Sequence, residues 1–150
     1  MEAGMFQKIL VTLDGSEFAE RALGPAAQIA KEFHSKITLL RIPVIEAQVA
    51  APYGIGLPSE PDVKRSHDEA ESYLYSIQMR LLGSGVAART EVVSGVPADV
   101  ILDVAEAERI DLIVMSTHGR SGLSRLFYGS VAESVLRGAS IPVLLIPIKE

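Results

Sequence analysis

The chain has 150 residues, 48% of them hydrophobic and only 5% aromatic, so its core is built from Val, Ile, Leu and Ala, and its length suits one domain spanning residues 1–150. A net charge of −5 without any cluster of Lys and Arg argues against nucleic acid as a partner, because binding a phosphate backbone needs grouped cations to displace counterions. The absence of cysteine excludes disulfides, thiolate zinc sites and cysteine nucleophiles, and suits a reducing compartment.

Met1 to Lys8 shows no basic start followed by an apolar run, and no apolar stretch is long enough for a bilayer. The expected location is the cytoplasm, with no membrane partner. Lys8–Leu13 is a short β-branched run that stops at the turn cluster Asp14-Gly15-Ser16. Apolar residues then recur with helical spacing from Glu17 to Phe33, with a kink or weak first segment expected around Gly24-Pro25. Ile37–Ile42 is the second strand, ended by Pro43. Val44 to Asp62 is irregular, with Tyr53 placed either over a ligand or in solvent.

Val63–Leu82 reads as an amphipathic helix with Val63, Ala70, Leu74, Ile77 and Leu81 inward and Gly83 as its C-terminal cap. Ala87–Val93 is a more polar strand, suited to a sheet edge. Pro97 opens a helix with Val100, Ile101, Val104 and Ala107 inward. Asp111–Met115 is apolar enough to be central. A glycine-rich loop, a short helix over Ser130–Arg137 and a last strand over Pro142–Pro147 complete the chain.

Five strands alternating with helices predict an α/β fold with a parallel sheet and right-handed crossovers. Such open sheets bind ligands beyond the carboxyl ends of their strands, where the strand order reverses. That directs attention to Thr12–Ser16 and Ser116–Ser130. In the second stretch, Gly119, Gly122 and Gly129 permit close backbone approach. Ser130 opens a helix whose free N–H groups attract anions, and Arg120 and Arg125 add charge. Ser130 with Glu133 also spells a capping box, and the two roles are compatible.

The spacing Ser116-x2-Gly119-x9-Gly129-Ser130 is similar to the nucleotide signature G-x2-G-x9-G-[S/T] of the universal stress protein family, with Ser116 at the first glycine. The words Ile-Leu-Val-x-Leu-Asp-Gly-Ser, Gly-x-Pro-Ala at Gly95–Ala98 and Gly-Ser-Val-Ala-Glu also resemble that family, from Lys8 to Ile148. The resemblance implies a five-stranded parallel sheet of order 3-2-1-4-5 with helices on both faces. It implies an adenine nucleotide (ATP, ADP or AMP) as ligand. Thr12 and Asp14 would stand near ribose or phosphates, Ile42 at adenine, and Met115 and Ser116 along the adenosine. Gly119, Gly129, Ser130 and Val131 would cradle phosphates. The family also commonly dimerises through its last strand, here residues 143–148.

His118 lies in the glycine loop, where it can touch phosphate or pack; Asp14 is a turn former or N-cap in its ordinary use, and with phosphates present it can help hold Mg²⁺. Ser116, His118 and Asp14 lack the surroundings of a hydrolase triad, and no Walker A loop is present. The expected function is therefore a nucleotide-binding stress-response or regulatory protein, with hydrolysis slow or absent. A slow ATPase and a protein-interaction module with an empty site stand as alternatives.

Overall fold

The computed structural model describes residues 4–43, 59–117 and 129–148. Its five strands are β1 (Lys8–Leu13), β2 (Lys36–Arg41), β3 (Ala88–Val92), β4 (Leu112–Ser116) and β5 (Val143–Ile146). They form one parallel sheet in the order β3-β2-β1-β4-β5, as expected from the resemblance. The central strands carry apolar residues on both faces because both faces are covered, and Ile9, Leu10, Val11, Ile113 and Val114 are wholly buried.

One face packs under α1 (Glu17–Glu20), α2 (Leu23–Phe33) and α3 (Glu60–Gly83), through Ala19, Ala26, Leu74 and Ile77 against Ile9, Val11, Ile37 and Leu39. The other packs under α4 (Pro97–Ala107) and α5 (Ser130–Gly138), through Ile101, Val104 and Val135 against Leu10, Leu40 and Ile113. The polar strand β3 is an edge, as its composition suggested, and β5 is the other edge.

Four local expectations need correction. The helix expected over Glu17–Phe33 is two helices, and the break falls at Arg21-Ala22, upstream of Gly24-Pro25. Pro25 has no N–H to give the Arg21 carbonyl, and its ring crowds that group, so the disruption appears one turn earlier. Helix α3 begins at Glu60 rather than Val63, because Ser59 caps it by accepting from the Asp62 N–H at 3.3 Å, with Pro61 in the first turn. Val63 is consequently exposed, and the buried stripe starts at Ala70.

The C′ position that closes the same helix is taken by Gly85 rather than by Gly83, which is the last helical residue. Gly85 has φ +85°, the Val86 N–H reaches the Leu81 carbonyl at 2.9 Å and the Gly85 N–H reaches Leu82 at 3.0 Å. This is a Schellman closure, sealed by Val86 and Leu81 in the same core cluster. In α4, Val100, Ile101 and Val104 point inward as expected, but Ala107 is exposed and Ala105, one turn after Ile101, is buried instead.

Beside the β3 edge, Glu91 and Glu108 stand together with Arg89 between them, and the Lys8 Nζ donates to the Glu108 carbonyl at 3.2 Å. Burial, and then the hydrogen bond and charge of Glu91, push the Glu108 carboxyl above the usual range against the opposing pull of Arg89 and Lys8. A carboxyl raised in the folded state binds a proton that the unfolded chain has already released. Its contribution is therefore lost as pH rises through the window above the ordinary glutamate value of about 4.3. Glu108→Gln is expected to raise the melting temperature at neutral pH, with the gain shrinking as pH falls towards about 4. Thermal scans across that range check it, and a lower melting temperature at neutral pH would show that the Arg89 pair outweighs the repulsion.

Candidate functional site

Strand β1 pairs with β2 as far as Leu13↔Arg41, but with β4 only as far as Val11↔Val114. Beyond that point β1 and β4 separate, and a crevice opens at the carboxyl end of the sheet, where the strand order reverses. It holds a cavity of about 290 Å³. Thr12, Leu13 and Asp14 line it from the end of β1, and Leu40 and Ile42 from the end of β2. Met115, Ser116 and Thr117 line it from the end of β4. Pro97 and Ile101 of α4, Ala19 of α1, and Gly129, Ser130, Val131 and Ala132 at the start of α5 complete the described wall.

The crevice thus brings together Thr12, Asp14, Ile42, Met115, Ser116, Gly129, Ser130 and Val131, eight of the residues singled out by sequence. His118, Gly119 and Arg120 lie outside the described residues, as do Gly122, Arg125 and Tyr53. Sequence reasoning missed Leu40, Pro97, Ile101 and Thr117. Leu40 and Ile101 are apolar and read as core, and Pro97 reads as the opening of a helix. Thr117 announces itself only in space: its N–H donates to the Ile146 carbonyl at 3.0 Å, and it is 6% exposed.

The floor is apolar, made by Leu40, Ile42, Ile101 and Met115. A flat aromatic ligand suits such a surface, because its faces gain by leaving water while its edge nitrogens can meet backbone groups. The opposite end is polar and built on the backbone. Gly129 is the N-cap of α5, with φ +86° and ψ +142°, and among the described residues no side chain caps that helix. The expected Ser130–Glu133 capping box therefore does not form, since Ser130 is already the first helical residue and the Glu133 N–H bonds the Gly129 carbonyl at 3.0 Å. Without a side-chain cap, the first-turn N–H groups and the positive end of the helix dipole are left to attract an anion from the crevice.

Gly129 is required twice over. Its backbone lies in a region that side-chain-bearing residues scarcely populate, and a Cβ there would meet the Thr117 carbonyl oxygen at 2.6 Å. Across the crevice, Asp14 forms the turn expected of it. Its Oδ1 accepts from the Ser16 N–H at 2.9 Å and from the Ser16 Oγ at 2.5 Å, and Ser16 in turn caps α1 by accepting from the Ala19 N–H at 3.1 Å. Asp14 is the only acidic residue, and no Lys or Arg appears, among the described residues of the wall. Ser116, 8% exposed, ends β4 in register with Ile146.

Elsewhere, His67, Asp68 and Glu71 gather on the outer side of α3 beside a shallow open depression. No described helix is long and apolar enough to cross a membrane.

The sequence profile of the Universal stress protein family matches residues 5–147. The universal stress protein MJ0531 of Methanocaldococcus jannaschii is 35% identical over 152 residues, which cover 97% of this chain and 86% of the relative. The solved structure of MJ0577, from the same organism, superposes with a TM-score of 0.81 at 30% identity, covering 97% of this chain and 99% of that one. The universal stress protein from Archaeoglobus fulgidus in complex with dAMP superposes with a TM-score of 0.68, covering 95% and 98% of the two chains, and at 23% identity that likeness speaks for the fold. A profile matched over nearly the whole length, together with a relative at 35% identity, establishes that this chain belongs to the universal stress protein family.

Proposed function

We propose that this protein binds an adenine nucleotide (ATP, ADP or AMP) in the crevice between β1 and β4 and serves as a nucleotide-responsive regulatory protein in the stress response. The observation that carries the reading is the pairing of an apolar floor with an uncapped helix start in one cavity. The base lies on Leu40, Ile42, Ile101 and Met115, and the ribose lies near Thr12, Asp14 and Ser116, where hydroxyls and a carboxylate can share its hydrogen bonds. The phosphates meet the N–H groups of Ser130 and Val131, with Gly119, His118 and Arg120 of the glycine loop as the further contacts. Where the ligand carries Mg²⁺, Asp14 is the carboxylate available to it, in keeping with that ion's preference for one or two carboxylates plus phosphate oxygens. A protein of the same fold in complex with dAMP supports the capacity of the scaffold for such a ligand.

In this reading nucleotide state acts by shifting conformation or partner binding, with hydrolysis slow or absent. The edge strand β5 with Ile148 is apolar and half-buried, a surface that needs covering, and the reading includes a homodimer paired there. The protein is expected in the cytoplasm.

The test is calorimetry on protein stripped of co-purified ligand, with AMP, ADP and ATP, each with and without Mg²⁺. Saturable binding tighter than roughly millimolar is expected, a free energy beyond about −4 kcal/mol. Folded protein that takes up none of the three under those conditions would sink the reading. Light scattering on the same samples should return about twice the chain mass of 16.1 kDa.

A further inference from the structure

Arg41 closes β2 and interrupts a strand that is otherwise buried and mainly apolar from Ile37 to Leu40. Strand alternation puts its side chain on the face of Ile37 and Leu39, under α1 and α3, while Leu40 and Ile42 face the cavity. Arg41 therefore stands behind the wall of the site. Its guanidinium carbon sits 5.3 Å from the centroid of the Tyr73 ring, a cation–π distance. Its Nη1 fills the space beside Gly15, 2.5 Å from where a Cβ would be.

The contacts continue until they close on themselves. The Tyr73 hydroxyl donates to Glu20 Oε2 at 3.0 Å, and the Arg80 Nη1 donates to Glu20 Oε1 at 2.9 Å. Glu20 ends α1, the helix capped by Ser16. The Ser16 Oγ donates to Asp14, and Gly15 follows Asp14 directly. From Asp14 through Ser16, α1, Glu20, Tyr73 and Arg41 back to Gly15, each member fixes the next. Burial, and then the bond to Glu20, push the Tyr73 phenol well above its ordinary range, so it stays protonated and donating throughout physiological pH.

We propose that Arg41 is the positioning residue of the Asp14-Gly15-Ser16 turn: it braces the turn from the side away from the cavity and places a permanent positive charge behind a wall that receives an anionic ligand. This rests on the nucleotide reading above. Arginine suits both halves of the role, because its planar head stacks on Tyr73 and it stays charged at every relevant pH. Asp14 brings a negative charge to the wall that faces the phosphates, and a fixed cation behind the turn offsets that repulsion.

Two variants separate the halves. Arg41→Met keeps an apolar stem and removes the charge; Arg41→Lys keeps the charge and loses the planar stack. Each is measured without ligand by amide hydrogen exchange at Ser16 and Ala19, and with ligand by calorimetric affinity for AMP and for adenosine. In Arg41→Met, exchange at those two amides is expected to rise by roughly tenfold while Leu10 and Ile113 stay protected. AMP affinity is expected to fall by about tenfold more than adenosine affinity. Arg41→Lys should recover the preference for AMP without recovering the protection.

Wild-type exchange in Arg41→Met would overturn the brace, and equal losses of AMP and adenosine would overturn the charge role. If wild-type protein binds neither ligand, the nucleotide reading and the charge role fall together, and exchange alone decides the brace. Should Arg41→Met fail to fold, Tyr73→Phe keeps the ring and cuts only the link to Glu20. A smaller rise at the same two amides is then expected, and no rise would overturn the brace.

Discussion

On the nucleotide reading, Gly129→Val is expected to remove binding altogether and to cost the fold about 3 kcal/mol. Two penalties add. At φ +86° and ψ +142° a β-branched side chain has no relaxed rotamer or backbone well, and its Cβ would press on the Thr117 carbonyl oxygen at 2.6 Å. The atom it meets is backbone at the end of a buried strand, and Thr117 is itself tied to Ile146 at 3.0 Å, so relief requires shifting β4 against β5. The start of α5 then moves away from the crevice and takes its N–H groups with it. A melting temperature lower by roughly 6–12 °C, with calorimetric binding abolished in protein that still folds, is the expected pair of results. Full binding by the variant would place the phosphates away from the start of α5.

Gly15→Val is expected to cost about 2–3 kcal/mol, and for a partly different reason. Its φ of +87° charges the same backbone penalty, but the atom its Cβ would meet at 2.5 Å is the head of the Arg41 side chain. A free arginine would swing aside at little cost. This one is stacked on Tyr73, and displacing it exchanges a paired, desolvated position for a search for new partners. A double-mutant cycle with Arg41→Ala separates the two parts, since the backbone strain persists in both backgrounds and the collision does not. A coupling of about 1 kcal/mol in unfolding free energy is expected; no coupling would mean that the whole cost lies in the backbone.

The parallel α/β architecture was legible because its strands are short, apolar and β-branched and its turns carry the residues that turns demand, while the strand order came only with the family resemblance. The site was legible as far as it is made of backbone, since glycines and a helix-opening serine leave a pattern in sequence. Of the side-chain half, Thr12, Asp14, Ile42 and Met115 were reached through the family resemblance, and the rest was not legible. Leu40 and Ile101 look like core and Pro97 like a helix opener, and only the early end of the β1–β4 ladder shows that they face an opening. Gly83 and Gly85 differ by two positions and not at all in type, so only the backbone angle tells which one closes α3. The setting of Arg41, a charged residue at the end of an apolar strand, was not legible, because Tyr73 and Glu20 lie 53 residues apart and meet only across α1 and α3.

The division of the crevice between a side-chain floor and a main-chain end has an evolutionary consequence. On the nucleotide reading, substitutions at Leu40, Ile42, Ile101 or Met115 would reshape the contour offered to the base and leave the anchor for the charged group in place. Changes at Gly129 act on every ligand alike, because they move the chain itself. On the proposed reading, a lineage would retune which small molecule it senses through conservative exchanges among aliphatic residues, one position at a time, on a docking point that tolerates almost none.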